Sequence, residues 1–302
     1  MGRIGIEGVK AAVFTDRENL TGATALIFER GAVGSAILLG GGTSTRGFDS
    51  LKPDAPPTRI FAFLVSGGSS MGLDSASGVV RYLKERELGL PIDHVRIPLV
   101  SACIIFDLFV GNPVPPDPEM VYEACKKSGD FIPDGPFGAG TGATVGKLYT
   151  VKRASPGGQC YEEIATESFR IGCLSVVNAF GDIVESGKII SGARNERGEF
   201  VNSARKIAEG ATRKIPSITG QSTTICCIIT DARLTKPEAY RVAVTAAAGM
   251  ARAIDPVWTI YDGDIVAVLS VGDRRGDVTR LGTLGARLVE ETIRKAVTSH
   301  FL

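Results

Sequence analysis

At 302 residues and 44% hydrophobic content, the chain has enough apolar material for one large domain or two small ones. Its 34 basic and 33 acidic side chains leave a formal charge of +1, so there is no electrostatic case for nucleic acid or an acidic membrane surface as partner. No apolar run approaches the ~20 residues of a membrane span, and residues 1–6 carry no apolar signal core.

The six cysteines are scattered. Cys226 and Cys227 are adjacent, and neighbours in a strand point to opposite faces, so they make a poor disulfide. With only two histidines, no Cys/His spacing suggests zinc. The expectation is a reduced, cytoplasmic protein with no metal and no cofactor. The 37 glycines occur in short clusters, which implies many tight turns rather than one flexible linker.

Residues 24–28 and 33–39 are predicted strands, joined as a hairpin by Glu29-Arg30-Gly31-Ala32. Gly40-Gly41-Gly42-Thr43-Ser44-Thr45-Arg46 follows. It lacks the Lys-Ser/Thr ending of a phosphate loop and no periodic helix follows it, so it is expected to be a structural turn. Residues 59–65 form another apolar strand. Ser66-Gly67-Gly68-Ser69 then opens a helix over about 74–87, with Val79, Val80 and Leu83 on one face. That glycine turn fits either a serine-capped turn or a loop lining a substrate cleft.

A helix over 117–127 begins with Pro118. The glycine-rich run from Gly138 ends in Lys147, which taken alone is a solvated surface charge. Residues 171–177 read as a strand. Asn178 closes it, and taken alone serves the turn over 178–182. Residues 187–220 are polar and turn-rich, with one helical piece near 201–208, and read as a linker.

Gln221-Ser222-Thr223-Thr224 then leads into the five uncharged residues 225–229, a buried strand. Thr223 therefore sits where a loop enters the core. As a β-branched residue it suits the first pleats of a strand. Cut free at its amine, a threonine would instead carry nucleophile and base on one residue. The stretch alone does not decide between these.

Thr235 and Glu238 have capping-box spacing, with Pro237 between them, and open a helix to about residue 254. Its cluster of Ala243, Ala246, Ala247, Ala248 and Gly249 is expected to let it approach the sheet closely. Asp262-Gly263-Asp264, taken alone, is a turn or a carboxylate cation site. Residues 265–271 read as a strand. A last helix over 278–298 turns Leu281, Leu284, Leu288 and Val289 inward.

Several of these strings occur together in one known family. Ser222-Thr223-Thr224-Ile225, with Ile228 and Thr230-Asp231-Ala232 closing the strand, is followed by Leu234-Thr235-Lys236 and a helix. Ser66-Gly67-Gly68-Ser69 with Gly72-Leu73, Ala102 with Ile104-Ile105-Phe106-Asp107, and Asp262-Gly263-Asp264 complete the set. In order and spacing they resemble the self-processing N-terminal-nucleophile aminopeptidase/amidohydrolase family. It includes the L-aminopeptidase D-esterase/amidases, the β-peptidyl aminopeptidases and the nylon-oligomer hydrolases. The resemblance covers nearly the whole chain.

It implies a single α/β domain over 1–302, a four-layer α/β/β/α sandwich. It further implies self-cleavage between Ser222 and Thr223 into an α chain, 1–222, and a β chain, 223–302. The assembly implied is a homo-oligomer, a tetramer of αβ units. In that setting Thr223 is the nucleophile, and its freed α-amine, with an ordinary pKa of ~7.7–8.0, is the base. Asn178 donates to the oxyanion, Lys147 approaches the nucleophile, and Asp262 and Asp264 stand beside its ammonium. Gly67, Gly68, Ser69 and Phe106 become candidates for the substrate pocket. Some members place a tyrosine at the Phe106 position to help hold the oxyanion; Phe106 has no hydroxyl and does not inherit that role. Ser222 and Trp258 also depart from the commoner family residues.

The substrate class implied is a small-molecule or peptide amide. The sequence does not separate α-peptides, β-peptides, amino-acid amides and polyamide oligomers. Two other classes stand beside this one: an unprocessed relative used for binding or assembly, and ornithine acetyltransferase-like acyl transfer, whose Ala-x-Met-Ala-Thr pattern is absent here.

Overall fold

The computed structural model describes residues 1–211 and 222–299. The end of the expected linker, 212–220, and Gln221 lie outside the described residues. The elements that build the site are β1 (Val9–Asp16), β2 (Thr21–Leu38), β3 (Ile60–Ser66), α1 (Ala76–Glu85), β4 (Val100–Ile104), α2 (Pro118–Lys126), β5 (Gly158–Ala165) and β6 (Arg170–Asn178). After them come β7 (Thr223–Ala232), α3 (Lys236–Ala246), α4 (Ala248–Ala253), β8 (Ile265–Arg274) and α5 (Val278–Thr298).

The period-two alternation of β7 defines the layers. Ile225, Cys227 and Ile229 enter a core shared with Leu174, Val176, Ala267, Phe28 and Phe63. Cys226 and Ile228 point the other way, into a core with Val242, Ala246, Leu288 and Val289 of the C-terminal helices. A third core joins Ala25, Ile27 and Leu64 to Val79, Leu83, Val121 and Cys125 of α1 and α2. Three cores between successive faces make four layers: helices, sheet, sheet, helices. The fold is the α/β/β/α sandwich.

Strand order runs β5-β6-β7-β8-β2-β3-β4, with β1 also on β2 and the short strand Thr45–Arg46 at the β4 edge. The expected hairpin at Glu29-Arg30-Gly31-Ala32 is not there. Residues 21–38 are one strand whose first half pairs with β1 and β3 and whose second half pairs with β8. Gly31 takes a left-handed φ of 68°, and the pairing with β3 shifts register between Ile27 and Ala32. The bend there passes the strand from one sheet to the other instead of folding it on itself.

The Thr235–Glu238 capping box forms with both of its hydrogen bonds. The helix expected to reach about 254 is broken at Ala247 into α3 and α4. The break falls two residues before Gly249, a poor helix former. Ala243, Ala246 and Ala247 share a buried core with Ile37, Ile228 and Val266 of the sheet, the close approach expected of them. Gly249 adds another, since a Cβ there would lie 2.2 Å from the Ala286 carbonyl of α5. The first helix is preceded by a 3-10 stretch, Ser69–Ser75, and becomes α-helical at Ala76. Among the described residues no helix is long and apolar enough to cross a membrane. All six cysteines are buried free thiols.

Candidate active site

Strand β6 runs antiparallel to β7 in a register that sets Asn178 opposite Thr223. Directly opposed residues project from the same face, so the two side chains are neighbours. Both are fully buried.

Lys147 reaches the same place from the glycine-rich run. Gly146 turns with φ 75°, and a Cβ there would lie 1.9 Å from the Ala193 amide. The chain passes through this tight point and sends Lys147 inward, its backbone N–H donating to the Phe180 carbonyl at 2.9 Å. Lys147 is 1% exposed, which corrects the reading of it as a solvated surface charge. Its Nζ donates to the Asn178 backbone oxygen at 2.8 Å and to Asn178 Oδ1 at 2.6 Å. The Thr144 N–H also donates to Oδ1, at 3.0 Å. Two donors on Oδ1 fix the amide's orientation, and Nδ2 donates to the Phe106 carbonyl at 3.2 Å. So Asn178 is more than the turn residue its local sequence suggests.

The peptide between Ser222 and Thr223 is also specifically held. Thr223 Oγ1 donates to the Ser222 carbonyl at 2.6 Å, and the Gly263 N–H donates to the same oxygen at 2.8 Å. The Ser222 N–H donates to the Tyr261 carbonyl at 3.2 Å, forming an isolated parallel bridge to Asp262.

The two carboxylates of Asp262-Gly263-Asp264 have different partners. Asp264 Oδ1 accepts from the Thr224 N–H at 2.6 Å, one residue beyond the candidate nucleophile. Asp262 accepts from the Phe180 N–H at 3.0 Å, and from the Thr259 N–H and hydroxyl at 3.0 and 2.6 Å. Burial pushes the Asp264 carboxyl well above its ordinary range, and the Asp262 charge adds to this; the Thr224 and Trp258 amides and Lys147 pull it back. Burial likewise raises Asp262, against the Thr259 and Phe180 hydrogen bonds and the Lys147 charge. Lys147 thus sits in the field of both carboxylates.

Asp107 belongs to the same field, and the sequence marks it only as part of a matching string. It accepts from Thr21 Oγ1 at 2.6 Å and from the Gly68 N–H at 2.7 Å. Burial raises its carboxyl, and the Lys147 charge opposes that rise. Gly67 and Gly68 are buried in this turn. A Cβ on Gly67 would lie 2.2 Å from Asp107 Oδ2, so glycine is what lets the carboxylate approach. Ser69 is half-buried and donates its N–H to the Ile105 carbonyl. Phe106 packs edge-on against Phe109, with ring centres 4.8 Å apart. With Val110 and Val151 these rings line a narrow cleft that also touches Lys147 and Thr144.

The structure therefore pairs Thr223 with Asn178 and seats Lys147 on Asn178, while Asp264 holds the Thr224 N–H and Asp262 the Phe180 N–H. Gly67 and Gly68 spend their amides inside the fold. Thr144 and Thr259, which orient Asn178 and Asp262, carry no sequence signal beyond their place near glycine and aspartate turns. Among the described residues no group of three or more His, Cys, Asp or Glu side chains is arranged to hold a metal ion.

Residues 4–300 match the family model described as Peptidase family S58. An uncharacterized aminopeptidase of Mycobacterium leprae (strain TN) is 35% identical over 264 residues, covering 83% of this chain and 71% of the relative. A 6-aminohexanoate-oligomer endohydrolase of Paenarthrobacter ureafaciens is 26% identical, covering 97% of this chain and 85% of the relative. Among solved structures, the L-aminopeptidase D-Ala-esterase/amidase of Ochrobactrum anthropi superposes with a TM-score of 0.70 at 18% identity, over 98% of this chain and 87% of that one. A Burkholderia sp. beta-aminopeptidase gives 0.68 at 16% identity, over 98% and 86%.

Proposed function

The chain belongs to peptidase family S58, and we propose that it is an amide hydrolase whose nucleophile is Thr223, freed by cleavage of its own Ser222–Thr223 bond. The observation that carries this reading is the pairing of Asn178 with Thr223, with Lys147 Nζ seated on Asn178 Oδ1. A threonine nucleophile needs a base and an oxyanion donor within reach. After cutting, the Thr223 α-amine supplies the base. Lys147 and the Thr144 N–H occupy the oxygen side of the Asn178 amide, which leaves its NH2 as the donating end.

In the cycle, Thr223 Oγ bonds to the substrate carbonyl carbon while the α-amine takes the hydroxyl proton. The carbonyl electron pair moves onto oxygen, where Asn178 Nδ2 stabilises it. The pair returns, the C–N bond breaks, and the proton passes to the departing amine. Water then attacks the ester, the α-amine again taking a proton, and the acid leaves with Thr223 restored. Asp264, which holds the N–H of the next residue, Thr224, is the carboxylate we assign to the new ammonium. Asp262 fixes the turn that carries it.

The substrate is a small-molecule or peptide amide. The named relatives include both an aminopeptidase and an oligomer endohydrolase, so exo- and endo-cleavage stand equal here. Six free thiols suit a reducing compartment, and we place the enzyme in the cytoplasm as a homo-oligomer of αβ units. Light scattering on the cut protein tests the assembly, and a monomeric mass removes that part.

Intact mass and N-terminal sequencing test the main proposal. Two fragments are expected, the smaller beginning Thr-Thr-Ile-Cys, with hydrolysis measured on a panel of free-amine and blocked amides. A fully active chain that remains whole overturns the proposal. An uncut and inactive chain turns the reading to the binding relative.

A further inference from the structure

The Gly40-Gly41-Gly42 loop has no part in the cycle above, yet it grips the peptide unit beside the cleavage site. The Gly41 and Gly42 N–H groups donate to the Asp262 carbonyl at 2.8 and 2.9 Å. That carbonyl belongs to the same peptide unit as the Gly263 N–H, which donates to the Ser222 carbonyl at 2.8 Å. Two donors on one end of a peptide polarise it and strengthen the donor at its other end. The approach is possible only with glycine: a Cβ on Gly40 would lie 2.4 Å from the Asp262 oxygen, and one on Gly263 would lie 2.1 Å from the Gly42 oxygen.

The local pairing shows that this contact stands apart from the regular ladder. Strands β7 and β8 pair backbone to backbone from Ile225 and Ile265 onward. Just before that, the Thr224 N–H is taken by the Asp264 side chain, and the Ser222–Asp262 bridge stands by itself. The Asn178 amide is turned to the Phe106 carbonyl.

We propose that the Gly263 backbone N–H, held by the Gly40-Gly41-Gly42 loop, is the oxyanion donor for self-cleavage at Ser222–Thr223, a role separate from that of Asn178 in hydrolysis. The proposal rests on the self-processing reading above. In the step, Thr223 Oγ bonds to the Ser222 carbonyl carbon and the C=O electron pair moves onto the oxygen facing Gly263. The pair returns, the C–N bond breaks, and the hydroxyl proton ends on the Thr223 nitrogen. The product is an ester isomeric with the original peptide. Water then divides it into a Ser222 carboxylate and a free Thr223 hydroxyl.

The test replaces Gly263 in the full chain by glycolic acid, which substitutes an ester oxygen for the N–H and adds no side chain. Cutting is followed on denaturing gels. It is expected to slow on the order of a hundredfold or more. In protein that has finally cut, amide turnover is expected to fall by a much smaller factor than cutting does. Gly40→Ala, which keeps the N–H but displaces the Asp262 carbonyl, is expected to slow cutting by a smaller factor. Parental cutting in the glycolate chain overturns the donor assignment, and parental cutting in Gly40→Ala overturns the role of the loop. If the parent chain itself never cuts, the self-processing reading fails and this inference falls with it, so the two failures are distinct.

Discussion

Asn178 and Thr223 are directly opposed across two central antiparallel strands, both closed off from solvent, and Lys147 Nζ lies 2.6 Å from the Asn178 side-chain oxygen. Loss of one oxyanion donor typically costs ~2.7–4 kcal/mol in the transition state. Asn178→Ala, measured on fully cut protein, is therefore expected to lower turnover on the order of a hundredfold or more. Asn178→Asp should not restore it, because a carboxylate repels the oxyanion. Parental turnover in cut Asn178→Ala would reduce Asn178 to a strand-end residue.

In the proposed cycle Lys147 acts through Asn178, as a positioning residue. Lys147→Met keeps much of the buried stem and removes both hydrogen bonds to Asn178. The expected signature is a fall in kcat with KM little changed, since the lost interaction matters to the transition state rather than to substrate binding. A rise in KM at unchanged kcat would mean that Lys147 contacts the substrate instead.

Asp264 links the site to pH. Burial first, and then the Asp262 charge, hold its carboxyl well above its ordinary value of 3.8. For a carboxyl whose pKa is raised on folding, stability is undiminished below the unfolded pKa and falls as pH climbs toward the folded one. Asp264→Asn removes this charge. In Thr223→Ala chains, which are expected to stay uncut, Asp264→Asn should change Tm by a constant offset for the lost acceptor. On top of that, its Tm relative to Asp264 should rise as pH climbs above the ordinary carboxyl value of 3.8. A gap that stays flat above that value, or that moves the other way, contradicts the assignment.

Gly146 controls the entry of Lys147. Its φ of 75° and the 1.9 Å approach of a Cβ to the Ala193 amide leave no room for a side chain. Gly146→Ala is expected to destabilise the fold by about 1–3 kcal/mol and to lower turnover as Lys147 is displaced. Thermal melting and kinetics read the two effects separately. Unchanged values for both would mean that the loop relaxes freely and that Lys147 does not depend on it.

Much of this arrangement is legible from local pattern. The uncharged run after Thr223 gives β7, the Thr235–Glu238 spacing gives the start of α3, and the heptad-like leucines give α5. These signals lie within a turn or a pleat of the residues they describe. The path of β2 is different. Whether two apolar segments around Gly31 pair with each other or with distant strands depends on competition among partners, which the segment itself does not encode. Lys147 misleads for a related reason. Lysine alone belongs in water, and its burial goes with Asn178 and with the carboxylates of Asp107, Asp262 and Asp264, gathered around it from three other parts of the chain. Asp262 and Asp264 look alike in sequence, yet they hold Thr259 with Phe180 and Thr224 respectively, because the turn between them aims them apart.

Under the proposed cutting, the strand order has a consequence for the later life of the protein. Strands β7 and β8 come from the segment after Thr223, and they lie between β6 and β2, which come from the segment before it. A chain cut before Thr223 is thus woven: the smaller piece is stitched into the middle of the sheet and covered by its own helices. Dilution offers it no way out short of tearing two rows of backbone hydrogen bonds and opening the cores on both faces. Unfolding, which for the whole chain is a change of shape, becomes for the cut one a loss of partners. Refolding then requires two strangers to meet, so each molecule is assembled once and its working lifetime is set by the height of the barrier to coming apart.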